Sequence, residues 1–333
     1  MVIAMGAQYR IDPETGDCHL IAPERAQRPT DESSAANAAC PFCPGNEAST
    51  LPEVLRVPAD PGERWRVRVV PNRYPVVSST GPSPDSDGRE RPATGLHEVV
   101  IESPDHAADL RFARAEQVLE VLLAIRERCR AMAARRPAAI VVFRNHGAAA
   151  GTSLRHPHSQ IICLDQAPPQ LLGRWRRARG FFEQTGGCLH DEVAAAERAE
   201  TVRVVHDDDD LLVYQPRAAG VSHETVLLPR DTSAGLAGAS GEALAAVARA
   251  LPAVTAALAA VRDDPAYNLV VHAGPAADES ANAWYRWHIG LYPRVSRRAG
   301  LEFATGLGVN STVPEQTAPV LREALAALWR PSA

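Results

Sequence analysis

The chain has 333 residues, 45% of them hydrophobic, and a formal net charge of −5. That is enough apolar material for a large core, and too little charge, with no polybasic block, for a nucleic-acid or anionic-membrane footprint. All 35 basic side chains are arginines, which excludes Schiff-base chemistry and a lysine-dependent phosphate loop, so any phosphate must be met by Arg, His, Ser/Thr or backbone amides.

Met1–Arg10 has no apolar stretch of the kind that opens a signal peptide, and no later segment offers about eighteen uninterrupted apolar residues. Neither export nor membrane spanning is expected, and a cytoplasmic location is. Cys40 and Cys43 are the one close pair among six cysteines, too few for a disulfide scaffold. Ser78–Ala93, rich in Pro, Ser, Asp and Gly, reads as a loop. His97–Glu102 and Ala139–Phe143 read as strands, flanking a helix over Arg114–Arg135 that carries Val118, Val121, Leu122 and Ile125 at helical spacing. The acidic run Asp207–Asp210 is a solvated turn.

The second half repeats this order. His223–Leu228 echoes His97–Glu102, a helix over Gly241–Arg262 is interrupted at Pro252, and strands follow over Tyr267–His272 and Trp287–Tyr292. From His97 to His158 is 61 positions and from His223 to His288 is 65, which points to duplication of one α+β unit, residues 1–200 and 201–333. In that register His288 falls opposite His158, Arg286 opposite His156 and Gly290 opposite Gln160. Only the first copy is chemically complete; the second is degenerate.

The chemistry centres on Arg155-His156-Pro157-His158-Ser159-Gln160 and the small-residue loop Asn145–Ser153 before it. Gly147 and Gly151 permit tight backbone approach and Ser153 offers a hydroxyl, so successive N–H groups can face phosphate oxygens. A neutral imidazole with one nitrogen facing an α-phosphorus can attack without first losing a proton, and the phosphoramidate formed is reactive enough to pass a nucleotide on. Cys40 and Cys43 supply two ligands of a tetrahedral zinc site, which needs two more; by sequence His97, His106, His146 and His156 compete for those places. Pro44-Gly45 after the second cysteine argues against a thioredoxin-type redox pair.

With these motifs the chain resembles the galactose-1-phosphate uridylyltransferase group of the histidine-triad superfamily, including the plant ADP-glucose phosphorylase branch. The resemblance covers nearly the whole chain. It rests on the stretches Pro23–Pro29, Cys40–Glu47, Pro71–Pro75 and Ser103–His106, and on the His-Pro-His motif. It implies an α+β fold of duplicated histidine-triad units, antiparallel sheets with packed helices. It implies a nucleotidyl-histidine intermediate on His158, with Gln160 holding the phosphoryl oxygens. In the hydrolytic branch a third histidine takes that place, so glutamine favours transfer to another phosphate over transfer to water.

Arg25 and Arg28 match arginines that reach the nucleotide phosphates, Asn145 and Ser153 match phosphate or ribose contacts, and Phe42, Asn72, Arg73 and Tyr74 match the nucleotide-binding stretches. The resemblance also implies one structural zinc per chain on Cys40, Cys43, His106 and His156. A second metal site of some family members is not expected, because Gly290 replaces its last histidine; His272 and His288 then read as core or pocket residues. Where the galactose enzymes contact the hexose, this chain has Gly306-Leu307-Gly308-Val309-Asn310, leaving Asn310 as the substrate-contact candidate.

The expected activity is transfer of a nucleoside monophosphate from a nucleoside diphosphate sugar, such as a UDP-sugar, to a sugar 1-phosphate by ping-pong kinetics, as in galactose metabolism. The alternatives are a phosphorylase using inorganic phosphate on ADP-glucose or a dinucleoside polyphosphate, and a nucleotide hydrolase. A homodimer is implied, and neither nucleic acid nor membrane is an expected partner.

Overall fold

The protein is described here by a computed structural model covering residues 7–13, 18–23, 25, 40–78, 90–297 and 299–329. Most of the Ser78–Ala93 loop and Arg28 lie outside the described residues. The first half holds strands β1 (Gln8–Ile11), β2 (Cys18–Ile21), β3 (Leu55–Val57), β4 (Val67–Pro71), β5 (Glu90–Pro92) and β6 (Gly95–Ile101), then helix α1 (Ala115–Ala133) and strands β7 (Ala139–His146) and β8 (His158–Leu164). Helices α2 (Pro169–Thr185) and α3 (Leu189–Glu200) follow. Next come β9 (Val204–Asp207), β10 (Leu211–Tyr214), β11 (Thr225–Pro229), α4 (Gly241–Arg262), β12 (Tyr267–His272), β13 (His288–Pro293), α5 (Gly300–Thr305) and α6 (Pro314–Leu328).

Among the described residues ten strands form one sheet in the order β3-β4-β6-β8-β7-β12-β13-β11-β10-β9, each pair antiparallel. Read outward from the central β7–β12 pair, the two directions give the same sequence of connections, with α1 and α4 in equivalent places. At that pair Asn145 stands opposite Asn268, whose Nδ2 donates to Asn145 Oδ1 at 2.9 Å.

The strand pairing corrects one detail of the sequence repeat. Gln160 pairs with Val99 and Gly290 with Val226, so Val226 is the counterpart of Val99, and two positions earlier Glu224, not His223, is the counterpart of His97. Because strand side chains alternate between faces, a one-residue shift changes which residue meets the pocket.

One face of the sheet is closed by helices. In α1 the buried residues Val118, Val121, Leu122, Ile125, Cys129 and Met132 recur every three to four positions and meet Val100, Ile161 and Val142 of the sheet. A single hydrophobic cluster runs from Val69 and Val100 in the first half to Leu227 and Leu291 in the second. Helix α4 is capped by Ser240, whose Oγ accepts the Ala243 N–H at 3.0 Å. It runs unbroken through Pro252, contrary to the expected interruption. Proline forfeits the bond to the Ala248 carbonyl, yet Ala248, Leu251, Val254 and Leu258 are all buried, and that packing offsets the defect. By length and composition α4 could cross a membrane, but 61% of its apolar window is buried in this core.

On the opposite face the described residues supply two covers. Trp175 of α2 is buried there with Ile162, Leu164, Trp284 and the β1 residue Tyr9, and Ala194 of α3 packs on Leu212, Tyr214, Val226 and Leu228. The same face carries a cavity over β8 and β6.

Candidate active site

The cavity, about 510 Å³ in volume, is lined by Arg25, Phe42, Asn72, Arg73, Tyr74, Asn145, Ser153, His158 and Gln160, together with Cys40, His106 and His97. Sequence positions spread from 25 to 160 therefore converge on one space. The reason is the pleat: His158 pairs with Ile101, Gln160 with Val99 and Ile162 with His97 across β8 and β6, and directly opposed residues project to the same face. Phe143 pairs with Gln160 from β7 and completes the floor.

His158 is 8% exposed. Its Nδ1 lies 2.8 Å from the carbonyl oxygen of His156. A carbonyl can only accept, so Nδ1 carries the proton and Nε2 the lone pair of the neutral ring. Phe42 stands edge-on to the imidazole at 5.4 Å between centroids, limiting its rotation. On the helix-covered side, the Ser159 hydroxyl donates to Glu102 Oε1 at 2.6 Å and Arg144 Nε donates to Glu102 Oε2 at 3.0 Å, so the strand is clamped one residue after His158. Arg144 is buried, and the Glu102 carboxylate helps hold its guanidinium charged.

The loop before β8 folds as a 3-10 turn over Ala148–Ala150. Gly147 is required there: its φ is +81° and a Cβ would come within 2.7 Å of Ala266 Cβ. Asn268 Nδ2 donates to the Ala150 carbonyl at 2.9 Å, pinning the turn from the second half of the sheet. Arg25 donates from Nη1 to the Tyr74 carbonyl at 3.0 Å, joining the N-terminal segment to the stretch Asn72–Tyr74.

Beside this cavity Cys40, Cys43, His106 and His156 bring four candidate ligand atoms within 4.8 Å of one another. The Cys43 Sγ lies 3.4 Å from His106 Nδ1 and 3.7 Å from His156 Nδ1, and Cys40 Sγ is 3.8 Å from His156 Nδ1. A tetrahedral ion with bonds of about 2.3 Å to sulfur and about 2.0 Å to nitrogen has S···N edges of roughly 3.5 Å, so the cluster could hold a metal ion. His156 Nε2 is 2.8 Å from the Ser103 carbonyl, which fixes that ring with Nδ1 turned to the cysteines. Burial pushes the Cys40 thiol up to about 11, with Cys43 beside it adding to the shift, and a bound cation would favour its thiolate.

The rival ligands go elsewhere. His146 stacks on Tyr267 with ring centroids 4.6 Å apart, and His97 bonds to Gln160 inside the cavity. By sequence His97 is a metal-ligand candidate; the signal that places it in the cavity instead is its even spacing from Val99 and Ile101 along one strand. Asn310 is not brought to this cavity: its amide donates to the carbonyls of Ala219 and Val221 and accepts the Thr312 N–H.

The equivalent place in the second half is a smaller pocket of about 270 Å³ lined by Arg174, His190, Glu224, His272, His288 and Tyr292. Arg174 Nη1 contacts His272 Nδ1 at 2.5 Å, and His272 Nε2 is 2.6 Å from the Tyr292 hydroxyl. A side chain at Gly290 would meet the Tyr292 ring at 2.5 Å, so the tyrosine occupies the room that Gln160 fills in the first half.

Residues 3–168 match the model of the galactose-1-phosphate uridyl transferase N-terminal domain. The chain is 31% identical to the ADP-glucose phosphorylase of Arabidopsis thaliana over 95% of its own length and 92% of the relative's. Among solved structures it is similar to a uridylyltransferase, with a TM-score of 0.82 and 29% identity, covering 97% of this chain and 100% of that one. The crystal structure of an Arabidopsis thaliana ADP-glucose phosphorylase with bound ADP-glucose superposes with a TM-score of 0.76 and 31% identity, covering 96% and 99% of the two chains.

Proposed function

Because the chain belongs to the galactose-1-phosphate uridylyltransferase family, we propose that this transferase moves a nucleoside monophosphate from a nucleoside diphosphate sugar to a phosphate acceptor in two displacements at His158. The observation that carries the reading is the 2.8 Å contact of His158 Nδ1 with the His156 carbonyl, which leaves Nε2 as the nucleophilic nitrogen. In the first step Nε2 attacks the α-phosphorus, the bond to the bridging oxygen breaks, and a sugar 1-phosphate leaves. In the second an acceptor phosphate oxygen attacks the same phosphorus and the P–N bond breaks, restoring neutral His158.

Gln160 would hold the phosphoryl oxygens, while Arg25, Arg28, Asn145 and Ser153 meet the phosphates and ribose. Phe42, Asn72, Arg73 and Tyr74 form the wall for the base. Cys40, Cys43, His106 and His156 would hold one zinc ion, whose contribution is structural: it braces the segment that aims His158. The chemical unit, residues 1–200, is completed by a degenerate unit, residues 201–333, in a cytoplasmic homodimer, and Asn310 would act on a sugar only in such an assembly.

For the acceptor, the first reading is a sugar 1-phosphate. A second, inorganic phosphate, is favoured by the 31% identity to a phosphorylase along nearly the whole chain. The test is incubation with UDP- and ADP-sugars labelled at the α-phosphate. Wild type should take up label and His158→Gly should not, and chasing with hexose 1-phosphate or with inorganic phosphate identifies the acceptor. Equal labelling of the two proteins would sink the reading.

A further inference from the structure

His97 is a buried side chain to which the two displacements assign nothing, and it stands directly beneath Gln160. It projects from β6 to the cavity face, two positions before Val99, the strand partner of Gln160. Its Nδ1 accepts the Val76 backbone N–H at 3.1 Å. Its Nε2 lies 2.9 Å from Gln160 Oε1 and 3.1 Å from Asn72 Nδ2. A backbone N–H can only donate, so the lone pair is on Nδ1 and the proton of the neutral ring is on Nε2. That proton has one acceptor of the two neighbours: Asn72 Nδ2 is itself a donor, its amide oriented by the Tyr74 N–H donating to Oδ1 at 2.8 Å, whereas Gln160 Oε1 can accept.

A glutamine amide has nearly the same shape in its two orientations, and only its hydrogen-bond partners decide between them. With an N–H beneath it, Gln160 is satisfied when Oε1 points to His97 and its NH₂ group to the cavity. The reverse orientation would set donor against donor below and a carbonyl oxygen against phosphoryl oxygens above. Burial keeps the imidazole neutral, at about 4, so this polarity persists across physiological pH. The Asn72 N–H also donates to the His97 carbonyl at 2.8 Å, so ring and backbone of the same residue tie the catalytic strand to the Asn72–Val76 wall.

We propose that His97 is a positioning residue that turns the Gln160 NH₂ group toward the phosphoryl oxygens and couples that setting to the Asn72–Val76 wall of the nucleotide cavity. The proposal rests on the reading of His158 as nucleophile. It is tested in the full-length protein by the rate of label uptake from UDP-glucose and ADP-glucose carrying ³²P at the α-phosphate, in wild type, H97L, H97Q and H97E. H97L, which removes the donor, should slow labelling about 10- to 100-fold while the KM for the nucleotide sugar changes little. H97Q, which can still donate to Oε1, should restore most of the rate, and H97E, which can only accept when ionised, should be as slow as H97L. If H97L does not fold, the contrast between H97Q and H97E carries the same comparison of donor with acceptor. Labelling of H97L at the wild-type rate overturns the proposal alone, as do equal rates for H97Q and H97E. A wild-type protein labelled by neither sugar nucleotide overturns the reading of His158 and the proposal with it.

Discussion

The carbonyl oxygen of His156 lies 2.8 Å from Nδ1 of His158, while the ring of the same His156 faces Cys40 and Cys43 through Nδ1 and the Ser103 carbonyl through Nε2. One residue thus joins the candidate metal cluster to the tautomer of the next histidine along. The orienting group is a backbone carbonyl, so it survives substitution of the His156 side chain, but its position does not.

His156→Ala should therefore lose bound metal and slow nucleotide labelling about 10- to 100-fold, because the orienting carbonyl is no longer braced. Elemental analysis of the purified protein, alongside the labelling rate, checks this. Full metal content with an unchanged rate would contradict the linkage. Chelation of wild type should lower the melting temperature in parallel.

Gln160→Ala should slow labelling on the order of a hundredfold, the usual cost of losing one hydrogen-bond donor at a developing charge. Gln160→His should instead shift the fate of the intermediate, raising the share of label released as nucleoside monophosphate to water. Single-turnover chase experiments measure that partition, and a partition identical to wild type would count against a role for glutamine in excluding water.

Gly147→Ala should destabilise the fold by about 1–3 kcal/mol, since the added methyl meets Ala266 at 2.7 Å and φ is +81°. The strain falls on the turn that leads to Ser153, so the KM for the nucleotide should rise as well. Denaturant titration and steady-state kinetics together decide it, and a variant as stable as wild type would mean the turn relaxes freely.

Stability should fall steeply in mild acid. Burial depresses His223 to about 4, His288 to about 4 and His190 to about 3, against 6.5 in the unfolded chain. A depressed histidine binds its proton in the unfolded state first, so its contribution is full above about pH 6.5 and is lost as pH drops toward 4. His223→Asn keeps a residue suited to the observed φ of +60° and removes one such proton, so its unfolding free energy should vary less between pH 6.5 and 4. A denaturation series across that window gives the slope, and an unaltered slope would refute the assignment.

Much of the site was readable from the chain. Cys40, Cys43 and the His-Pro-His run are local patterns whose chemistry follows from residue type and spacing, and the strand over His97–Glu102 and the helical period of Val118–Ile125 follow from backbone geometry. The duplication was visible too, but its register slipped by one, because a strand repeat of period two has no internal landmark until hydrogen bonds pair Gln160 with Val99 and Gly290 with Val226.

What the amino-acid order determined by itself was the chemical inventory: arginine as the sole strong cation, a histidine pair after a small-residue turn, and a two-cysteine knuckle. Where spacing left the histidines open, tertiary structure decided the partnerships. It sent His106 and His156 to the cysteines but His97 to Gln160 and His146 to Tyr267, and it turned Asn310 onto the loop at Ala219 and Val221. Each of these histidines is the same side chain with the same intrinsic chemistry. Which atom it meets depends on strand pairing between residues far apart in sequence, and that is set by burial of the whole sheet rather than by any neighbour along the chain.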